Sequence, residues 1–307
     1  MHLEQPAIEI SNLRKAYGGK TVVDGISLTV HRGEIFALLG PNGAGKTTTV
    51  EILEGHRSRD SGDVRVLGYD PARKEQPFKQ RVGMVLQSTG IEPYLTVQET
   101  LEMFQGYYQA PMNLNDLIIL TELGALRNTN VRKLSGGQQR KLDVAVALCG
   151  NPDVLFLDEP TTGFDPAARH RTWDMLTNLK LAGTTIFLTT HYMEEAAMLA
   201  DHVAFIIDGK IVELGSVESL TRKGHGTTIT FQLANSVVIP PSIAETERSD
   251  DGQITISTKT PTKDLALLTG WALETGTELR DLQVRKTSLE DVFFKLTSID
   301  LGRENNL

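Results

Sequence analysis

The chain has 307 residues, 40% hydrophobic and 23% charged, which suits a folded globular protein able to bury a large core without covalent staples. Its single cysteine, Cys149, excludes an intramolecular disulfide and points to a reducing, intracellular setting. The net charge of −8 divides evenly between residues 1–225 and 226–307, which excludes a basic arm and argues against a nucleic-acid partner.

In chain order, Ile8-Glu9-Ile10 and Val22 to Val30 read as strands of alternating character, and Glu34 to Leu39 as a buried strand. Gly40-Pro41-Asn42-Gly43-Ala44-Gly45-Lys46-Thr47-Thr48 follows and opens a helix through Ile52. Val82 to Leu86 reads as another strand. Thr96 and Glu99 form a capping box before a helix with Leu101, Phe104 and Tyr108 on one face. Val154 to Leu157 reads as a buried strand. Asp165-Pro166 reads as an N-cap with proline at the first helical position, and Trp173, Leu176 and Leu179 share a face of the helix that follows. Thr185 to Thr189 is a strand and a helix begins near Tyr192. Val203 to Ile207 and Lys210 to Leu214 flank Asp208-Gly209, a hairpin turn. Apolar strands alternating with helices imply an α/β fold with a mostly parallel sheet covered on both faces. The first six residues lack the basic start and apolar core of a secretion signal. Residues 226–244 carry no charge, but Gln232, Asn235 and Pro240-Pro241 make them too polar and broken to span a bilayer. A membrane role would therefore need another chain to supply the membrane part.

Gly40-x4-Gly45-Lys46-Thr47 between a strand and a helix fits a phosphate-binding loop. Its glycines let backbone N–H groups approach phosphate, and the helix start adds partial positive charge. Lys46 would reach the β- and γ-phosphates and the Thr47 hydroxyl would bind Mg²⁺. Asp158, at the end of a buried strand, would hold Mg²⁺ mainly through water, and Glu159 would act as general base on the attacking water. Ser135-Gly136-Gly137-Gln138 at a helix start is a second anion nest, which suggests a site shared between two subunits. Gln87 could set a neutral amide beside Mg²⁺, His191 could contact the γ-phosphate, and Tyr17 could stack on a base. Cys149 lies on an apolar helical face and reads as core.

These elements, in this order over about residues 7–225, resemble the ATP-binding cassette ATPases. Tyr17 matches the A-loop, 40–48 the P-loop, Gln87 the Q-loop, Leu134 to Gln138 the signature, Asp158-Glu159 the Walker B pair, Gly163-Phe164-Asp165 the D-loop and His191 the switch. Phe164 departs from the usual leucine. The resemblance implies a cassette with an antiparallel N-terminal subdomain and a helical signature subdomain. It also implies a head-to-tail homodimer in which Ser135 to Gln138 complete the partner's ATP site, and ATP and Mg²⁺ as the bound groups. Arg140 to Asp143, and Ser288 to Phe294, resemble the drug-resistance exporter ATPases related to daunorubicin-exporting cassettes. That implies a separate ABC-2 type permease and a position at the cytoplasmic face of the membrane.

Residues 226–307 resemble the small α/β accessory domain that follows the cassette in such exporters. Thr228 to Leu233, Gln253 to Thr258 and Glu278 to Arg285 read as strands, Asp251-Gly252 as a turn and Asp264 to Leu273 as a helix; Ser288 caps a second helix. No residue of this domain is expected in the chemistry; dimer contact or regulation is the expected role. An importer ATPase, and a non-transport cassette protein acting on ribosomes or DNA, are the alternatives. Against the latter stand one cassette, no heptads and a negative charge.

Overall fold

The computed structural model of the chain describes residues 5–85, 90–223, 227–233, 246–248 and 252–304. The chain divides into two units, Met1–Leu214 and Gly215–Leu307. The division falls ahead of the expected 225/226 boundary because the helix Val217–Lys223 packs against the last helix, Leu289–Glu304.

The first unit begins with β1 (Ile8–Tyr17), β2 (Lys20–Val30), β3 (Ile35–Leu39), α1 (Lys46–Leu53), β4 (Ser61–Val66), α2 (Gln76–Lys79) and β5 (Val82–Val85). It continues with α3 (Val97–Gln105), α4 (Leu114–Leu120), α5 (Gly136–Leu148), β6 (Val154–Asp158), α6 (Pro166–Leu181), β7 (Thr185–Thr190), α7 (Met193–Leu199), β8 (His202–Ile207) and β9 (Lys210–Ser216). The central sheet has the order β5-β6-β7-β3-β8-β9. β5, β6, β7, β3 and β8 pair in parallel, and β3, β6 and β7 are buried along their whole length. That burial is why they read as unbroken apolar runs rather than alternating ones. Register aligns Leu39 with Thr190 and Asp158 with Thr189, so the carboxyl ends of β3, β6 and β7 finish together. Ligands of open α/β sheets gather at this edge.

A second sheet, β2-β1-β4, is antiparallel throughout. Its inward face shares one core with the central sheet, where Phe36, Phe156 and Phe187 pack ring to ring at 5.4 and 5.9 Å. The Asp208-Gly209 turn joins the two sheets: the Asp24 N–H donates to Gly209 O at 2.8 Å and the Gly209 N–H donates to Ala44 O at 3.1 Å. Glycine is required there, since φ is +77° and a Cβ would lie 2.6 Å from Val22 O.

Helices α3, α4 and α5 form a helical arm, whose α5 also packs on β5 of the central sheet. Thr96 with Glu99, Asn113, and Ser135 with Gln138 cap their starts. α3 ends at Gln105, so Tyr108 lies beyond the helix whose face it was expected to extend. Leu101, Leu142, Leu148 and Cys149 fill the arm's interior, and burial pushes the Cys149 thiol up to about 12, the behaviour of a core residue.

The second unit contains α8 (Val217–Lys223), β10 (Thr227–Gln232), β11 (Thr246–Arg248), β12 (Gln253–Thr258), α9 (Pro261–Thr275), β13 (Arg280–Lys286) and α10 (Leu289–Glu304). Its sheet, β11-β12-β10-β13, is antiparallel. Ile229, Phe231, Ile254 and Ile256 form its core with Leu268 of α9. Ser288 caps α10, accepting from the Asp291 N–H at 3.2 Å. Asp251 of the expected turn lies outside the described residues.

Candidate functional site

The loop after β3 is shaped by two close approaches. A Cβ on Gly40 would stand 2.2 Å from Ile206 O of β8, and one on Gly45, at φ +103°, 2.5 Å from Val22 O of β2. Only glycine fits between these strands, and the result is a turn that delivers backbone N–H groups to the start of α1. Pro41, Asn42 and Gly43 are exposed, Ala44 and Gly45 are buried, and Thr48 is half-buried. Lys46 is only 6% exposed. Its Nζ donates to Gly40 O at 2.7 Å and Pro41 O at 3.1 Å, so the ammonium is wrapped by its own loop. Burial lowers its pKa, opposed by the fields of Glu159 and Asp158.

Asp158 ends β6 and is buried; its carboxylate accepts from Thr47 Oγ1 at 3.2 Å and from Thr189 Oγ1 of β7. The next residue, Glu159, turns out of the sheet with φ +50°. Its N–H donates to Thr189 O at 3.0 Å. Its carboxylate accepts from Thr162 Oγ1 at 3.1 Å, and its other oxygen is 3.2 Å from His191 Nδ1. The structure therefore brings Lys46, Thr47, Asp158, Glu159 and His191 to one edge of the sheet.

Ser135, Gly136 and Gly137 are exposed at the start of α5, and Gln138 is half-buried, its side chain accepting from the Ser135 N–H at 2.8 Å. A cleft of about 560 Å³ runs from Gly136 and Gly137 past Arg140 to Asp158 and Glu159. Phe164 lines it as well. Asp165 caps α6, accepting from the Ala168 N–H at 2.9 Å. Tyr17 ends β1, and Lys15 Nζ and the Arg57 guanidinium each lie 5.3 Å from its ring centre. These cation–π contacts set the pose of a ring expected to meet a base. Gln87 lies outside the described residues. Three contributors were not anticipated as site residues: Thr189 and Thr162, which hold the two acids, and Arg140. Thr189 and Arg140 have partners distant in sequence, so only strand pattern and helix position could have signalled them; Thr162 lies three residues from Glu159, within local reach.

The cradle suits a nucleoside triphosphate: one loop combines two glycines pressed against neighbouring strands, a helix start and one buried ammonium. The Thr47 hydroxyl and Asp158 carboxylate are hard oxygen donors 3.2 Å apart, a pair that suits Mg²⁺ completed by phosphate oxygens and water.

A phosphate cradle on the central strand of a parallel sheet, flanked by an antiparallel sheet and a helical arm, defines the class of ATP-binding cassette ATPases. Comparison with known proteins agrees. Residues 23–162 match the ABC transporter family, and residues 227–288 match the family described as ABC transporter domain-containing protein-like, C-terminal domain. The chain is 37% identical to Nod factor export ATP-binding protein I of Ralstonia nicotianae, covering 97% of this chain and 95% of that protein. It is 34% identical to daunorubicin resistance ATP-binding protein DrrA3 of Streptomyces coeruleorubidus, covering 96% of each. A solved structure described as the ATP binding subunit of an ABC transporter aligns at TM-score 0.65 and 25% identity, over 71% of this chain and 92% of that one. The chain belongs to the ABC transporter family, as an ATP-binding subunit that hydrolyses ATP. No helix among the described residues is long and apolar enough to cross a membrane.

Proposed function

We propose that this ATPase drives export through a separate integral membrane permease of the ABC-2 type, lying against the cytoplasmic face of the membrane through that partner. Two copies close head to tail over ATP and Mg²⁺, and hydrolysis reopens them. One observation carries this reading: Gly40 and Gly45 of the cradle are pressed by strands of their own chain, whereas Ser135, Gly136 and Gly137 of the second anion nest are exposed and both glycines face open space. Such a nest is positioned to complete a phosphate site on another copy. The names of both relatives, one a Nod factor exporter ATPase and one a daunorubicin resistance protein, favour export over import. The accessory domain at 226–307 holds none of the groups assigned to chemistry and serves dimer contact or regulation.

In this mechanism the backbone N–H groups of residues 40–48 and the Lys46 ammonium bind the β- and γ-phosphates. Lys46 exchanges its bonds to Gly40 O and Pro41 O for charge-assisted bonds to phosphate. Thr47, Asp158 and Gln87 would hold Mg²⁺, which would supply neutralisation of phosphate charge. Tyr17 stacks on adenine. Glu159 takes the proton of the attacking water. His191, 3.2 Å from that carboxylate, orients it and contacts the γ-phosphate. Asp165 holds the D-loop against α6, at the dimer seam.

Glu159→Gln tests the chemistry. It keeps the shape and removes the basic oxygen, so turnover falls ~10²–10⁴-fold, about 3–5 kcal/mol in the barrier. ATP binding survives, and the variant accumulates as an ATP-bound dimer on size-exclusion chromatography with Mg·ATP. Asp158→Asn instead weakens the metal site and the dimer with it. Phosphate release at the wild-type rate from Glu159→Gln would move the base elsewhere. Pull-down of the tagged chain from detergent-solubilised membranes tests the partner. A multi-span membrane protein is expected; ribosomes or DNA in its place would overturn the transport reading.

A further inference from the structure

The helix that begins with the exposed nest also carries a cation that the proposed mechanism leaves without a role. Arg140 sits on α5, one helical turn beyond Gly136, with its side chain 14% exposed. Its guanidinium reaches main-chain carbonyls: Nη2 donates to Asp158 O at 2.8 Å and Glu159 O at 3.5 Å, and Nε donates to Pro160 O at 3.4 Å. Three successive carbonyls of one turn thus face one planar fork. A planar array of N–H donors at fixed angles matches such a set, and a lysine ammonium, a single point charge, does not.

The turn it holds is the one that aims the proposed base. Glu159 adopts φ +50°, a left-handed conformation in which a Cβ crowds the following carbonyl oxygen. Such a conformation persists only where its surroundings over-determine it. On the N–H side the hold is Thr189 O, at 3.0 Å from the Glu159 nitrogen. On the carbonyl side Glu159 O accepts from the Thr162 N–H at 3.3 Å and from Arg140 Nη2 at 3.5 Å, and Arg140 alone also ties in the carbonyls on either side, of Asp158 and Pro160. Burial lowers the Arg140 pKa, while the fields of Asp143 and Asp158 oppose that shift. A guanidinium stays protonated in proteins nonetheless, so the clamp is cationic at every physiological pH.

We propose that Arg140 is a positioning residue for hydrolysis: it grips the carbonyls of Asp158, Glu159 and Pro160 and so fixes the direction in which the Glu159 carboxylate points. The grip also joins two parts of one chain. α5 starts at the Ser135–Gln138 nest, so a force on the nest is transmitted along a rigid helix to the turn that carries Glu159. This inference rests on the reading of Glu159 as the base.

The test uses the full chain with Arg140→Lys, Arg140→Gln, Glu159→Gln and the two double variants, each checked for cooperative thermal unfolding. Phosphate release is followed across ATP concentration, with single turnovers for the slow variants. Arg140→Lys is expected to lower kcat by about 10–100-fold, the scale of a misplaced reacting group, and to leave KM for ATP and nucleotide affinity unchanged. In the Glu159→Gln background the same substitution is expected to add no further loss, because both changes act through one carboxylate. A further loss in the double variant equal to that in the single, a rise in KM with kcat kept, or a wild-type kcat in Arg140→Lys would each overturn the proposal. If neither Arg140 variant folds, the residue holds the fold and the positioning role falls. Glu159→Gln at the wild-type rate would remove the base assignment and this inference with it, whereas a slow Glu159→Gln beside a normal Arg140→Lys would remove the clamp alone.

Discussion

The two glycine-rich loops differ in what surrounds their glycines. At Gly40 and Gly45 a Cβ would strike backbone oxygens of β8 and β2 at 2.2 and 2.5 Å. At Gly136 and Gly137 it would meet nothing within 4 Å among the described residues. The first pair must be glycine because their own chain presses on them. The second pair answers to nothing among the described residues. A requirement for glycine there points outward, to an atom brought by something else, which is what a nucleotide on a second copy would supply. The donors follow the same division. Lys46 is buried against its loop carbonyls and is committed to the first site, whereas the nest at Ser135 offers backbone donors and a helix start.

The strongest way to break this comparison sets Lys46→Ala beside Ser135→Arg. Lys46→Ala removes the one ammonium of the cradle, so the affinity of the chain for ATP falls by about 10–100-fold, the worth of a charge-assisted bond of ~1.5–3 kcal/mol. Ser135→Arg leaves that affinity unchanged but fills the nest, so dimerisation with Mg·ATP and turnover are lost. Nucleotide titration by fluorescence or calorimetry, with chromatography in Mg·ATP, reads both. Equal loss of affinity in the two variants would erase the difference between the loops.

A smaller effect sharpens it. Gly40→Ala forces a methyl against an immobile backbone oxygen and costs about 1–3 kcal/mol of stability, a drop of several degrees in Tm. Gly136→Ala meets open space at the first turn of α5, where alanine is the better helix former, so Tm holds or rises slightly. Thermal unfolding without nucleotide separates the two. Turnover falls in both variants: in Gly40→Ala from its own cradle, in Gly136→Ala from the crowded partner site. A lowered Tm in Gly136→Ala would mean that its own chain crowds that nest after all.

What could be read from the residues follows from how local each signal is. The phosphate loop, the Thr96–Glu99 capping box, the helix start at Ser135, the Asp165-Pro166 helix start and the Asp208-Gly209 turn are short-range, and all were legible; that Ser135 and Gln138 form a second capping box was not read. The buried strands β3, β6 and β7 announced themselves by apolar runs. β4 did not: Ser61-Gly62-Asp63 opens it with turn formers, and its pairing with β1 across distant sequence overrides that preference. α2, α4 and β11 were also unread, being four, seven and three residues long, too short for a period to show. The domain boundary moved to Leu214/Gly215 because α8 finds its packing partner in α10, near the other end of the chain.

For the site itself, residue types in order were enough to name the chemistry. A lysine after spaced glycines, two acids ending an apolar strand and a serine with two glycines at a helix start each have few other uses, and together they specify a nucleotide and water. Tertiary structure alone decided how these groups are aimed. The left-handed turn at Glu159, its N–H on Thr189, its carboxylate between Thr162 and His191, and the Arg140 fork across three carbonyls join residues separated by up to 32 positions. Backbone direction at such a turn is set by partners that only the folded sheet and helix arm bring within hydrogen-bond reach, and hydrogen bonds of that kind leave no periodicity in the chain.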